Sequence, residues 1–371
     1  MAGMDCIPVH LFRRSFSMQK DVDILVVGGG QAGLAMGYHL NQKPHSFQIL
    51  ERHRHIGDSW RIRYDSLKLF SPREFSSLPG FQVPGDPDGF ATKDEIADYL
   101  ESYAQHHKLP VVTNLGVRKL ERSADSFRAV TDQGEVITSR AVIIASGAFE
   151  IPSIPALSKK LDHSVQQFSP ATYRNPEQVL PGTVLVVGDG ATGRQIALEL
   201  SMNHHVVLAH GRMRSVSPDF IFGKNNFWWM ELLGLSRVSR KSLIGRYFMK
   251  FDPFPGLNLS LFNLRRRGIR VVNRLTGVDG NRVTFASGTS STVTSVIWAT
   301  GYHDDSSWVH IPEIIDKNGS FIQERGLTSV KNLFFIGKSW QWSRGSALLF
   351  GVTRDAKYLL PFIDQGLRQT A

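Results

Sequence analysis

Two segments of this chain share one plan. "ILVVGGGQAGLAMGYHL" begins at Ile24 and "VLVVGDGATGRQIALEL" at Val184, and each passes from apolar, largely β-branched residues through G-x-G-x-x-G into apolar residues at helical spacing. The pattern predicts strand, tight turn and helix, the unit that sets a dinucleotide pyrophosphate against the positive end of a helix. Gly28, Gly30 and Gly33 in the first copy, and Gly188, Gly190 and Gly193 in the second, supply the sharp turn, the close approach to phosphate and the contact of helix with strand. One such turn is a weak signal. Two in the same context call for a chain built to hold two nucleotides.

The residues beyond each copy tell the two apart. After the first, the strand ending at Leu50 leads into Glu51, 18 residues beyond Gly33, close to the separation of about 20 at which a carboxylate meets a ribose diol. After the second, "HVVLAH" runs into "GRMR", so the same place holds His210, Arg212 and Arg214, 17 to 21 residues beyond Gly193, and no acid. Guanidinium groups pair bidentately with phosphate, which points to the 2′-phosphate of NADP; the competing reading is two solvent-facing arginines. The first site therefore fits FAD and the second NADPH, with NADH left open.

At 371 residues the chain suits two domains, each able to bury a core, and 42% hydrophobic and 20% charged content are globular values. Basic residues outnumber acidic ones by 43 to 33, a net charge of +10 that raises nucleic acid as a partner. Against that reading, the charges are scattered and no recognition motif accompanies them. Arg265, Arg266 and Arg267 close "NLSLFNLRRRG", where cations complement a helix C-terminus ahead of a glycine cap. The surplus is expected to draw anionic dinucleotides. Cys6 is the single cysteine, which excludes an internal disulfide and the C-x-x-C pair of a dithiol reductase; the thirteen histidines show no metal spacing, so no metal is expected. No apolar run reaches the ~20 residues that span a bilayer, and residues 1–20 lack the core of a secretion signal. A flexible N-terminal tail, with Met18 as an alternative start, and a cytoplasmic location are expected.

The fold class expected is α/β, with two Rossmann-like dinucleotide-binding domains, one inserted in the other. Residues 21–155 and 296–371 are assigned to the FAD-binding domain and 163–288 to the inserted NAD(P)-binding domain. The first part holds an aromatic-rich stretch over 57–90, a helix opened by the capping box "TKDE" at Thr92, and short alternating segments "VRKLER", "SFRAV" and "EVITS". A buried strand "AVIIASG" then brings the chain back to the parent sheet and carries Ala145 and Gly147; "FEIPSIPAL" is a connector. The second part repeats the plan and ends in "SVIWATGY", with Thr300 and Gly301. Finally "NLFFIGKSW", holding Gly337, is read as a buried strand and "SALLFGVTRDAKYLLPFI" as a helix. Ala145, Gly147, Thr300, Gly301 and Gly337 join the cofactor-binding candidates.

In this order, "GGGQAG", Glu51, "GDSWR", "ASGAFEIPSIP", "GDGATG" and "ATGY" resemble the motifs of the class B flavin monooxygenases, the group of flavin-containing monooxygenases, YUCCA enzymes and Baeyer-Villiger monooxygenases, in their short bacterial form. The likeness runs over nearly all of 21–363. It implies FAD in the first domain, NADPH in the second, Trp60 near the flavin, and a reduced flavin that meets O2 to give a C4a-(hydro)peroxide. That species passes one oxygen atom to sulfur or nitrogen of a small lipophilic substrate, or attacks a ketone. Reduction needs a nicotinamide at the flavin and oxygenation needs a dry ring, which gives a reason for two cradles at one cleft.

The sequence departs from the group in places. "LSKKLDHSVQQ", at 157–167, keeps only His163 of the pattern F-x-G-x-x-x-H-x-x-x-[FY], and Ala191-Thr192 replace the "N-S" of the second glycine motif. Phe70 falls where the flavin-containing monooxygenases have an asparagine. An aromatic ring cannot donate a hydrogen bond to the peroxide, so the catalytic candidates are Phe70 and, as a substitute donor, Ser71. "KSWQWSRGSALL" places Trp340, Trp342 and Arg344 ahead of the last helix, whose N-terminus is expected at the flavin's pyrimidine edge, and makes them candidates for the substrate pocket. Trp228 and Trp229 are read as core or domain contacts. The partners expected are a small-molecule substrate and O2, in a monomer or homodimer. Two rivals stand beside the monooxygenase: an NAD(P)H oxidase or electron-transfer reductase without oxygen insertion, and a flavin-binding redox sensor without turnover.

Overall fold

The structure, a computed structural model, describes residues 18–212 and 214–369. The expected N-terminal tail lies outside them up to Ser17. Two sheets carry the cradles. In the first, Asp21–Val27 lies between Phe47–Leu50 and Val136–Ile144, all parallel, with Val111–Val112 beyond the former and Leu333–Phe335 beyond the latter. The second is parallel throughout, in the order Arg270–Val272, His205–Ala209, Thr183–Val187, Ser295–Trp298, Gln166–Phe168.

The central strands are unbroken apolar runs because both of their faces are covered. Ile24 and Val26 face helices Gln31–Leu40, Lys93–His106 and Leu349–Arg368, while Leu25 and Val27 point to the other side and join a cluster with Leu115, Leu120, Val309 and Ile314. Each such side chain, wholly withdrawn from water, contributes roughly 1.5–3 kcal/mol. Lys93–His106 starts where the capping box predicts: the Thr92 hydroxyl accepts from Glu95 N–H and the Glu95 carboxylate accepts from Thr92 N–H.

Three expectations change. "EVITS" and "AVIIASG" form one strand, Val136–Ile144, because no glycine, proline or turn pair separates them and the strand changes partner instead of stopping. Residues 136–139 pair antiparallel with Ser126–Thr131, and 142–144 pair parallel with Leu333–Phe335. Next, a domain boundary at 296 cuts through Ser295–Trp298, which is an inner strand of the second sheet, buried at all four positions. The chain returns to the first sheet after Trp298, and the inserted domain, expected to end at 288, continues into Ser290–Thr292, which pairs antiparallel with Arg282–Phe285. Last, the final helix begins at Leu349, the fourth residue of "SALL", and not at Ser346, since Arg344–Ala347 form a separate 3-10 turn. The outgoing and returning connectors lie side by side: Tyr302–His303 pairs with Ile151–Pro152, and Ser153 N–H donates to the Gly301 carbonyl.

Candidate functional site

Both cradles close in the same way. Gly28 (φ +113°) and Gly188 (φ +106°) hold a left-handed conformation, and a Cβ there would lie 2.5 Å from the Ala145 carbonyl oxygen and 2.2 Å from that of Ala299, respectively. Gly33 and Gly193 press onto these turns, each with a would-be Cβ 1.9 Å from the carbonyl oxygen of Gly28 or Gly188. Gly30 and Gly190 cap helices Gln31–Leu40 and Ala191–Leu200 without any side-chain acceptor, and neither first turn carries an acid. The first-turn N–H groups are thus left for an external anion such as a pyrophosphate.

In the first cradle Glu51 is buried at the end of its strand and accepts from Gly29 N–H at 2.8 Å, His53 N–H at 2.9 Å and His53 Nδ1 at 2.7 Å. Burial alone would push this carboxyl up. The His53 ring and backbone bonds, the charge of His53 and the Gly29 N–H outweigh it and hold the group below its ordinary value. A carboxylate so held is ionised at neutral pH and keeps lone pairs for a ribose diol. Trp60 Nε1 donates to Gln31 Oε1 at 3.3 Å, and Gln31 Nε2 donates to the Ala347 carbonyl at 3.3 Å, so Trp60 is tied to the cradle and to the turn ahead of the last helix. Gly337 lies against the cradle too: a Cβ there would be 2.6 Å from that of Ala32.

The same segment reaches the second cradle. Tyr64 donates its hydroxyl to Gln195 Oε1 at 2.6 Å, and Gln195 Nε2 donates to the Lys68 carbonyl at 3.1 Å. One stretch, 60–68, therefore touches both cradle helices. Gln31, Tyr64 and Gln195 were not singled out by the sequence; Gln31 alone had a signal, its place as the first helical residue of the glycine motif.

The second cradle is lined with charge. Behind the turn, fully buried Arg194 donates to Asp189 Oδ2 at 3.0 Å and to the Asp189 and Leu259 carbonyls at 2.9 Å each. In front, the Arg214 guanidinium approaches Gly190, with Nη2 4.0 Å from where a Cβ would stand. Arg212, Arg214 and Arg344 all meet the carboxylate of Asp252. His210 Nδ1 and Arg214 Nε are buried and have no hydrogen-bond partner. Cationic and orphaned polar atoms at this strand end suit a phosphate.

The remaining candidates lie in the surrounding loops and turns. Phe70 stacks on Phe227 with ring centroids 6.3 Å apart, and Phe227 meets Phe350 edge-on at 5.3 Å. Ser71 is buried with its hydroxyl 2.8 Å from that of Ser76. Trp340 takes φ +54°; Trp342 has the Arg325 guanidinium 4.2 Å from its ring centre, with Tyr358 on the same guanidinium at 3.7 Å. Arg240 N–H donates to the Trp342 carbonyl at 2.8 Å, and burial pulls the Arg344 guanidinium down to about 10. The Thr300 hydroxyl donates to the Ser153 carbonyl and so joins the two connectors. Gly147 and Gly301 are both left-handed, at φ +87° and +92°. Trp228 and Trp229 are half-buried, the latter donating to the Ile221 carbonyl at 2.9 Å. Beside the connectors is a buried ion cluster that the sequence did not reveal, Lys338 Nζ at 3.2 Å from Glu150 and 2.9 Å from Asp304. Among the described residues no cluster suits a metal and no helix is long and apolar enough to cross a membrane.

Comparison with known proteins gives the family of the chain. Residues 25–219, just over half of the chain, match the family model described as pyridine nucleotide-disulphide oxidoreductase. The CzcO-like oxidoreductase of Geobacillus kaustophilus is 46% identical over 92% of this chain and 98% of its own length. A probable indole-3-pyruvate monooxygenase of Arabidopsis thaliana, YUCCA8, is 29% identical over 80% of this chain and 78% of its own. The solved flavin-containing monooxygenase of Stenotrophomonas maltophilia superposes with a TM-score of 0.80 at 25% identity, covering 95% of this chain and all of that one. The chain belongs to the pyridine nucleotide-disulphide oxidoreductase family and is an FAD-dependent oxidoreductase of the flavin monooxygenase type.

Proposed function

We propose that the protein consumes NADPH and transfers one oxygen atom of O2 to sulfur or nitrogen of a small lipophilic substrate. One observation carries this reading: two uncapped glycine cradles are joined by the segment 60–68, one with an ionised carboxylate at its strand end and the other with arginines. The inserted nucleotide domain then runs from about 163 to Trp298.

In this assignment the turn at Gly28, Gly30 and Gly33 takes the pyrophosphate of FAD and Glu51 accepts from its ribose, with Ala145, Gly147, Trp60 and Gly337 bordering the same cofactor. The turn at Gly188, Gly190 and Gly193 takes the pyrophosphate of NADPH, Arg212 and Arg214 take its 2′-phosphate, and Thr300 and Gly301 hold the connector beside it. Bound flavin supplies the redox chemistry, receiving electrons from the nicotinamide and passing them to O2. The chain's part is to orient both cofactors and keep water out, with Trp340, Trp342 and Arg344 as the rim that meets the substrate.

A second reading, an NADPH oxidase that inserts no oxygen, is favoured by Phe70 and Ser71: an aromatic ring packed on Phe227 has no donor to offer, and the Ser71 hydroxyl is already shared with Ser76. One experiment separates the two. The purified yellow protein is reduced anaerobically with NADPH or NADH and mixed with oxygenated buffer containing a dialkyl sulfide or tertiary amine. One equivalent of sulfoxide or N-oxide per NADPH is the expected result. Hydrogen peroxide equal to NADPH consumed, with no oxygenated product, establishes the oxidase, and a flavin that neither nucleotide reduces establishes a sensor.

A further inference from the structure

Asp252 comes directly after helix Leu243–Phe251 and takes a left-handed conformation, φ +39°, that ends it. Three guanidinium groups converge on its carboxylate. Arg212, at 3.4 Å, and Arg214 come from the loop after strand His205–Ala209, and Arg344, at 3.5 Å, comes from the turn before the last helix. Three cations around one anion leave two positive charges over, and a phosphate monoester at neutral pH carries about two negative ones. The site also keeps unused polar atoms, Arg214 Nε and His210 Nδ1, both buried. Burial, then the charges of Arg212, Arg194 and Arg344, draw the Arg214 guanidinium below its ordinary value against the pull of Asp189.

We propose that Asp252 determines nucleotide specificity: it is an internal carboxylate that shares the 2′-phosphate subsite and limits how strongly the protein prefers NADPH to NADH. The inference rests on assigning Arg212 and Arg214 to that phosphate. Without nucleotide, the carboxylate holds together guanidinium groups that repel one another. When a 2′-phosphate arrives at Arg212 and Arg214, the same carboxylate is a like charge beside the ligand and opposes it. NADH brings no such group and leaves the cluster as it is.

The test is calorimetric titration of the FAD-loaded protein with adenosine 2′,5′-bisphosphate and with AMP, which differ only in the 2′-phosphate. Wild type, Asp252→Asn and Arg212→Ala are compared, with flavin absorbance and circular dichroism confirming that each is folded. Asp252→Asn keeps the shape and an acceptor for the arginines while removing the charge. It is expected to bind the bisphosphate about tenfold more tightly, the size of a charge interaction at a partly exposed site, and AMP as before. A weaker bisphosphate complex overturns the proposal by making Asp252 a mere holder of the arginines, and an unchanged one overturns it by placing the carboxylate outside the subsite. Failure of the NADPH assignment shows separately: wild type and Arg212→Ala then bind bisphosphate and AMP alike. In that case the role of Asp252 falls with the assignment, whereas a weaker or unchanged Asp252→Asn complex beside a wild type that prefers the bisphosphate overturns the role of Asp252 alone.

Discussion

The two cradles share a backbone and differ in everything their side chains add. At the first, the helix start is open, with nothing within 4 Å of the place a Gly30 Cβ would occupy, and Glu51 stands beside it, buried and held by three hydrogen bonds. At the second, a buried Arg194–Asp189 pair backs the turn and a cluster of three arginines around one carboxylate fronts it, with Arg212 half exposed. The glycine turn thus encodes affinity for a pyrophosphate and nothing about which one. Residues about 20 positions later decide the ribose, and their exposure suits a resident cofactor in one case and an exchanging one in the other.

This contrast breaks most sharply at the turn glycines. Alanine at Gly28 or Gly188 meets a backbone carbonyl in a conformation that already disfavours it, a cost of roughly 1–3 kcal/mol before the clash. Gly28→Ala is expected to purify nearly colourless, with a flavin-to-protein absorbance ratio below about a tenth of wild type, whereas Gly188→Ala keeps its flavin and needs at least about tenfold more NADPH for half-maximal reduction. The opposite colours would exchange the two assignments.

The next largest effect belongs to the pair that only the second cradle has. Arg194→Met leaves Asp189 buried beside an apolar side chain, and about 3–5 kcal/mol of stability should be lost in urea unfolding. Adding Asp189→Asn should restore much of it. A loss below about 1 kcal/mol in the single variant would mean that Asp189 finds water or another donor when Arg194 is gone.

The smallest effect is a pH dependence confined to the first cradle. Glu51 lies below its ordinary value of 4.5 in the folded chain, so its ionised form contributes stability above that pH, and the contribution fades as pH falls through the lower folded-state value. Glu51→Gln should therefore be less stable than wild type in urea unfolding at pH 7, by about 1 kcal/mol, with the gap narrowing under pH 4.5. A gap of equal size at both pH values would show that shape and not charge matters at this position.

Much of this was legible in order along the chain. The cradles, the capping box at Thr92, the connectors and the buried strands all arise from short-range rules, in which a glycine triplet or a two- or three-residue period states what the local backbone must do. The catalytic candidates were less legible. Phe70 and Ser71 stand out only through their place in the family pattern, and only packing shows the ring on Phe227 and the hydroxyl on Ser76. Arg212 and Arg214 were found from their distance to Gly193, but nothing local to them announces Asp252.

The sequence by itself determined that there are two nucleotide cradles, that they differ in the charge beyond their second strands, and that no dithiol can take part, because each of these depends on residues close together or on a count. Tertiary structure alone decided which sheet receives Ser295–Trp298, since a buried parallel strand is the same apolar run in either. It alone joined Tyr64 to Gln195, 131 residues apart, and brought Arg344 to the carboxylate that Arg212 and Arg214 share. Those contacts arise where separately folded layers meet, and a chain carries no local pattern for a partner that only packing brings near.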